Sequence, residues 1–316
     1  MEFRDSFGRT IDYIRISVTD RCNLRCIYCM PREVPKCSKP SEVLDRDGII
    51  GILRIARKYG LRKVRFTGGE PLLRQDIAEI VGAVKDLGVE DISLTTNGLL
   101  LPQMAGRLKE AGLDRVNISM DSMDPERYGR ITGGGSLETV LRAIDEAGNA
   151  GLAPVKINVI PIRGVNEDEI SSFAALTVEK PYHIRFIELM PVGNETFSGE
   201  RRITASQVLE HISAAGKTVP LGRTGSATNY RLEGAKGTIG LISPVSNHFC
   251  DSCNRLRVTA RGTIKPCLFS DQEIDLNKAS SGEEKEKMIL QAVRQKPKGS
   301  LLKKRVPLDA MSQVGG

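Results

Sequence analysis

Residues 11–29, IDYIRISVTDRCNLRCIYC, join a β-strand pattern to three closely spaced cysteines. In Ile11–Thr19 apolar and polar residues alternate, as they do in a strand that buries one face. Cys22, Cys26 and Cys29 follow at once, so we expect them on a loop at the carboxyl end of that strand. Parallel α/β barrels place their active sites at this end. The stretch therefore predicts a metal centre at the top of a parallel sheet.

Five later stretches repeat the strand pattern and are separated by helical stretches, which is typical of parallel βαβ units. The six predicted strands are Ile11–Thr19, Arg62–Thr67, Asp91–Thr96, Arg115–Asp121, Val155–Ile160 and His183–Leu189. Several of them are polar on one face, whereas a parallel sheet covered by helices on both sides is apolar throughout. A polar inner face predicts an α/β fold of the TIM type that forms an incomplete (β/α)6 barrel with a charged ligand in its lumen. The alternative is that the polar face is solvated.

The alternation of strands and helices ends near residue 195. We expect residues 1–195 to form the partial barrel and residues 196–316 to form a smaller C-terminal region that caps it. This region contains a second cysteine group, Cys250, Cys253 and Cys267, which suggests a second metal centre. The alternative for this group is a structural zinc site with His248 as the fourth ligand.

Composition narrows the class of protein. Aromatic residues make up 4% of the chain and tryptophan is absent, which is unsuited to a stacking surface for single-stranded nucleic acid. No apolar run approaches the thickness of a bilayer. We expect a cytoplasmic protein with reduced cysteines that binds neither membranes nor nucleic acids. Cys37 is interpreted as a plain loop thiol, and the Lys-rich stretch 296–305 as a solvated face.

The first cysteine group resembles the signature of the radical S-adenosylmethionine (SAM) superfamily: C-x3-C-x2-C with an aromatic residue before the last cysteine. The resemblance implies a [4Fe–4S] cluster held by three irons, with SAM bound to the fourth. One electron from the cluster would cleave SAM to methionine and a 5′-deoxyadenosyl radical. The sequence TGGEP at Thr67–Pro71 resembles the superfamily's GGE motif, which meets the SAM amino group.

Within that superfamily the chain resembles the molybdenum cofactor biosynthesis protein A family over nearly its whole length. The likeness rests on SVTDR at Ser17–Arg21, RFIELM at Arg185–Met190, CNRLR at Cys253–Arg257 and the terminal Gly315–Gly316. It implies a second [4Fe–4S] cluster, held by the second cysteine group, whose open iron binds the guanine of GTP.

The resemblance also implies the roles of individual residues. Residues that match GTP contacts are Arg15, Arg65, Thr95, Lys156, Arg255, Leu256 and Arg257. Residues that match SAM contacts are Tyr28, Gly69, Glu70, Ser119 and Met190. Residues expected to act in catalysis are Arg185, Arg255, Arg257, Gly315 and Gly316. Arginine and lysine are the side chains expected to hold a triphosphate.

The implied reaction is a cyclisation of GTP that opens molybdenum cofactor biosynthesis. The radical removes the hydrogen from ribose C3′, and C3′ then joins guanine C8 to give (8S)-3′,8-cyclo-7,8-dihydroguanosine 5′-triphosphate. The implied partners are a flavodoxin- or ferredoxin-like electron donor, a cyclic pyranopterin monophosphate synthase that takes the product, and a second copy of the chain in a homodimer. A radical SAM enzyme for a peptide or RNA, and a non-catalytic zinc protein, are the alternatives.

Metal content separates the cluster hypothesis from the zinc hypothesis. We expect anaerobically prepared protein to be brown and oxygen-sensitive, with about eight irons per chain because each cubane holds four. A zinc protein would be colourless and stable in air. Metal analysis together with absorption spectroscopy checks this, and bound zinc without iron would contradict it.

Overall fold

A computed structural model describes residues 2–29, 37–191, 199–301 and 311 of the chain. Its first part alternates strands and helices. These are β1 (Tyr13–Ser17), α1 (Arg46–Lys58), β2 (Lys63–Thr67), α2 (Ile77–Asp86), β3 (Asp91–Thr96), α3 (Ala105–Glu110), β4 (Arg115–Ser119), α4 (Pro125–Thr132), α5 (Leu137–Asn149), β5 (Lys156–Val159), α6 (Ile170–Glu179) and β6 (His183–Ile187). Strands β1 to β6 pair in parallel and in chain order, which confirms the predicted fold class.

The C-terminal region extends the same sheet at both edges. Its elements are α7 (Ala205–Ser213), β7 (Thr218–Thr224), β8 (Ala227–Leu232), β9 (Thr238–Ile242), β10 (Arg255–Val258), β11 (Thr263–Lys265), β12 (Ile274–Asp275) and α8 (Gly282–Arg294). The order in the resulting 12-stranded sheet is β12-β11-β10-β1-β2-β3-β4-β5-β6-β9-β8-β7. Both β10 and β9 pair in parallel, with β1 and β6 respectively. The expected cap is therefore continuous with the barrel sheet, and the predicted boundary at residue 195 lies outside the described residues.

Alternation along the strands separates an apolar face from a polar one. Ile14 and Ile16 of β1 and Val64 and Phe66 of β2 are at most 1% exposed and belong to the hydrophobic core. The residues between them, such as Arg15, line a cavity on the opposite face of the sheet. The polar face is thus the wall of an internal space, as the barrel hypothesis predicts.

Helix starts follow local capping signals. Asp45 caps α1, where the Gly48 amide donates to its carboxylate at 2.7 Å. Helix α4 was not predicted, although Asp124 caps it and Pro125 occupies its first turn. Strand β7 was also missed, because TVPLGRT contains Pro and Gly and lacks a buried face. Among the described residues, no helix has the length and apolarity needed to cross a membrane.

Candidate active site

A cavity of about 460 Å³ on the inner face of the sheet brings the two cysteine groups into one site. Cys22, Cys26 and Cys29 follow the carboxyl end of β1, whereas Cys253 precedes the amino end of β10. Because β1 and β10 are parallel neighbours, the two groups lie towards opposite ends of the same pair of strands. A strand of five residues spans about 17 Å. All six thiols are partly buried and line the cavity.

The thiols of the first group are close enough to influence one another. Burial raises the pKa of Cys26 well above its ordinary value, and the charges of Asp121, Cys29 and Cys22 raise it further. The Leu24 amide donates to Cys22 Sγ at 3.5 Å. Three converging thiols on a short loop fit a cluster held through three irons.

The glycine pair of the TGGEP stretch packs directly against the start of the first cysteine loop. The Gly69 amide donates to the Thr19 carbonyl at 2.8 Å, and the Glu70 amide donates to the Arg21 carbonyl at 2.7 Å. A Cβ added at Gly69 would lie 2.1 Å from the Arg21 carbonyl oxygen, and one at Gly68 would lie 2.3 Å from that of Thr19. The glycines therefore permit close contact between two loops of the chain, a role that the sequence did not reveal.

Glu70 is held by the chain itself. Its carboxylate accepts hydrogen bonds from the Thr96 hydroxyl at 2.7 Å, the Asn97 amide at 2.7 Å and the Leu72 amide at 3.0 Å. Burial raises the pKa of Glu70 to about 7. Glu70 also lines the cavity. Its described contacts fix the loop after β3, and its contact with SAM stays a prediction.

The second cysteine group differs in its electrostatic surroundings. Burial and the neighbouring Cys267 and Cys253 raise the pKa of Cys250. Burial also opposes ionisation of Cys253, but the charges of Arg255 and Lys296 outweigh it and lower the pKa of Cys253 to about 6. His248, the fourth ligand in the zinc alternative, instead has its Nδ1 2.7 Å from the Pro244 carbonyl oxygen. Within the described ranges, no three His, Cys, Asp or Glu side chains could hold a single metal ion.

Basic side chains dominate the wall between the two cysteine groups. Strand register places Arg257, Arg15 and Arg65 side by side on β10, β1 and β2. The cavity is also lined by Lys63, Arg115, Lys156, Arg185, Arg255 and Lys296. Burial lowers the pKa of Arg185 to about 9, and the cations around it, Arg65 first among them, contribute. Burial and the nearby Arg255 lower that of Arg257 to about 10. Such a wall suits a polyanion.

Most of the predicted site residues meet in this cavity. It is lined by Arg15, Tyr28, Arg65, Gly69, Glu70, Thr95, Ser119, Lys156, Arg185, Met190, Arg255 and Arg257. The Tyr28 hydroxyl donates to Asp121 at 2.6 Å, which fixes its ring beside the first cysteine group. Leu256 differs, because its side chain is fully buried in the core on the other face of β10 and offers only its backbone. Gly315 and Gly316 lie outside the described residues.

Sequence analysis missed several residues of the cavity and misplaced one. Arg115 starts β4 and pairs with Asp91, beside Ser93 on the polar face, so the alternation could have revealed it. Tyr13 lies beside Arg65, whose guanidinium carbon is 5.7 Å from the ring centroid. Lys296 corrects the interpretation of its Lys-rich stretch as solvated, because it is 3% exposed and lines the cavity.

We expect Gly69→Ala to disturb the first metal centre because the new Cβ would collide with the Arg21 backbone carbonyl. The cysteine loop must then shift away from β2. The measurement is iron content and SAM cleavage in anaerobically reconstituted protein, with Gly106→Ala as control, since a Cβ there meets nothing within 4 Å. Unchanged iron binding and SAM cleavage in Gly69→Ala would contradict the packing argument.

Comparison with known proteins agrees with this geometry. Residues 16–177 match the Radical SAM superfamily, and residues 182–302 match Molybdenum Cofactor Synthesis C. The structure of SuiB from Streptococcus suis bound to the precursor peptide SuiA aligns with a TM-score of 0.62, covering 86% of this chain and 64% of that one. Its sequence identity is 14%, so this likeness concerns the fold alone.

Curated relatives are far more similar in sequence. A GTP 3′,8-cyclase of Pelotomaculum thermopropionicum is 45% identical over 99% of this chain and 100% of its own length. A GTP 3′,8-cyclase of Listeria monocytogenes is 50% identical over 86% of this chain and 84% of its own. The chain therefore belongs to the GTP 3′,8-cyclase family of the radical SAM superfamily.

Proposed function

We propose that this chain converts GTP to (8S)-3′,8-cyclo-7,8-dihydroguanosine 5′-triphosphate, with SAM as the source of the radical, in molybdenum cofactor biosynthesis. The observation that carries the proposal is the basic wall that lies between two groups of three thiols in one cavity. Relatives similar over the full chain are named for this reaction. The five residues of β1, which span about 17 Å between the two cysteine groups, leave room for a nucleotide rather than a single ion.

The thiols suit two clusters. Cys22, Cys26 and Cys29 would hold the first, and Cys250, Cys253 and Cys267 the second. Each thiol of such a set would bind a different iron, so the three thiols need not meet at one point. When bound, the first cluster supplies the electron that cleaves SAM, and the second supplies an open iron for the guanine base.

The residues of the chain bind and orient the substrate. Arg257, Arg15 and Arg65 form a row across three strands that can grip a triphosphate through bidentate hydrogen bonds. With guanine towards the second cysteine group, the ribose points towards the first group and the SAM site. The residues of the chain would thereby hold C3′ beside the SAM site, and holding it there replaces a bimolecular encounter.

Two further assignments rest on the sequence pattern and composition: the barrel at 1–195 with its C-terminal region at 196–316, and a cytoplasmic location. Three others rest on the family resemblance: a flavodoxin- or ferredoxin-like electron donor, a cyclic pyranopterin monophosphate synthase downstream, and a homodimer. The catalytic role of Gly315 and Gly316 is proposed from the family resemblance; among the described residues nearest to them in sequence, Ser300 and Met311 line the cavity.

An anaerobic assay with SAM, GTP and a strong reductant tests the proposal. We expect 5′-deoxyadenosine and the cyclised nucleotide to form together, and Arg257→Ala to lower product formation about 100-fold because a buried, preorganised cation is lost. Arg62→Ala is the control, since Arg62 pairs with Glu90 on the exposed surface. Deoxyadenosine formed while GTP stays unchanged would refute GTP as the substrate.

Lys156 should make GTP binding depend on pH. Burial, followed by the charges of Arg185 and Arg115, lowers the pKa of Lys156 to about 7. The ammonium is therefore present below pH 7 and is lost above it, so its contribution to binding fades as pH rises. The anionic GTP would favour the protonated amine, and linkage to this one proton can change the affinity by at most about tenfold per pH unit.

The measurement is the GTP dissociation constant of the anaerobic holoenzyme between pH 6 and 8. At pH 6, Lys156→Met should bind GTP more weakly than the parent protein. The ratio of the two dissociation constants should approach one towards pH 8. Comparing the two proteins at each pH cancels the titration of GTP itself. A ratio of the two dissociation constants that stays constant over this range would contradict the lowered pKa of Lys156.

A further inference from the structure

Two cations outside the barrel strands, one partly buried and one buried, contact the backbone of the second cysteine group. Arg9 lies on the turn that precedes β1, and Lys296 follows α8 near the other end of the chain. The Lys296 residue is 3% exposed, and the Arg9 side chain is 11% exposed. Sequence analysis assigned neither residue a role in the site.

Lys296 connects the two segments that carry the second cysteine group. Its Nζ donates to the Arg255 carbonyl at 2.7 Å and to the Pro266 carbonyl at 3.1 Å. Arg255 lies two residues after Cys253, and Pro266 immediately precedes Cys267. One ammonium group thus fixes the distance between the segments that carry these two thiols.

Arg9 supplies a contact at the remaining cysteine, Cys250, which shares a turn with Cys253. Its Nη1 donates to the Cys250 carbonyl at 2.6 Å, and its Nη2 donates to the Pro297 carbonyl at 2.6 Å. The buried Asp5 pairs with Arg9 Nε at 2.5 Å and so orients the guanidinium. The planar fork of arginine can reach these separate acceptors at once, which a lysine cannot do.

The two cations therefore form one support that contacts a carbonyl beside each of the three thiols. Lys296 is joined to it directly, because Arg9 also binds the carbonyl of the next residue, Pro297. Buried charges are costly unless hydrogen bonds satisfy them, and these carbonyls do so. The positive charge also lies close to the thiols, and a nearby cation favours the more negative, reduced form of a cluster.

We propose that Arg9 and Lys296 are positioning residues for the second cluster: they hold its two cysteine-bearing segments in place and raise its reduction potential. This inference rests on the second cluster of the proposed function. It makes the cluster depend on two segments that are far apart in sequence, because the turn before β1 and the residues after α8 meet beside it.

The test uses anaerobically reconstituted full-length protein and the variants Lys296→Met and Arg9→Lys. Methionine keeps the length of the side chain but removes its charge and its donors. Lys298→Met is the matched control. It removes a positive charge two residues after Lys296, but from a side chain that is exposed. We measure iron per chain, the electron paramagnetic resonance signal with and without GTP, and the midpoint potential of each cluster.

In Lys296→Met we expect iron to fall from about eight towards about four per chain. Any second cluster that remains should have a more negative potential and a weaker response to GTP. Arg9→Lys keeps the positive charge but loses the two-pronged guanidinium. It should lose iron, with a smaller change in the reduction potential of the second cluster than in Lys296→Met. Loss of the first cluster's signal as well would show general misfolding and would overturn the proposed role.

The outcomes separate the inference from the proposed function. Parent protein with about eight irons and variants that match it in iron, signal and potential would overturn the inference alone. Parent protein with only about four irons would overturn the second cluster and this inference with it. Equal losses in Lys298→Met and Lys296→Met would show that the contacts to the cysteine segments are irrelevant.

Discussion

The site depends on one costly arrangement, three arginines placed side by side on adjacent parallel strands. Strand register aligns Arg257, Arg15 and Arg65, and neighbouring strands are only about 4.8 Å apart. Like charges in such positions destabilise a sheet. Burial lowers the pKa of Arg15 well below its ordinary value, with the charge of Arg257 adding to the effect. The opposite face of the same strands, fully apolar and buried, supplies the stability that this row removes.

The two faces of the sheet have different roles, which explains why a polyanion suits the cavity. The outer face holds the sheet together through residues such as Ile14 and Val64, so the inner face is not needed for cohesion. Its cations are preorganised by the strands before any ligand arrives. A bound triphosphate relieves their mutual repulsion, and binding energy is therefore concentrated where the nucleotide must be fixed.

Sequence analysis located what is local and missed what depends on distant pairing. Alternation within each stretch predicted β3 at its observed bounds, Asp91–Thr96, and the polar face of β1 and β2. The pairing of β10 with β1 could not be predicted, because it joins residues more than 200 positions apart and has no turn signal. Lys296 was misplaced for a related reason. Its composition resembles a solvated stretch, and only the tertiary fold buries it between two cysteine segments.

The two cysteine groups are supported by different physical means. The first is held by backbone packing, since Gly68 and Gly69 leave no room for a side chain against Thr19 and Arg21. That contact joins the loops that follow β1 and β2, which are neighbouring strands. The second group is spread over segments before β10 and after β11, which no single loop can fix. Residues from the two ends of the described chain complete it. Because these contacts join segments that are far apart in sequence, the geometry of the second group depends more on tertiary packing than that of the first.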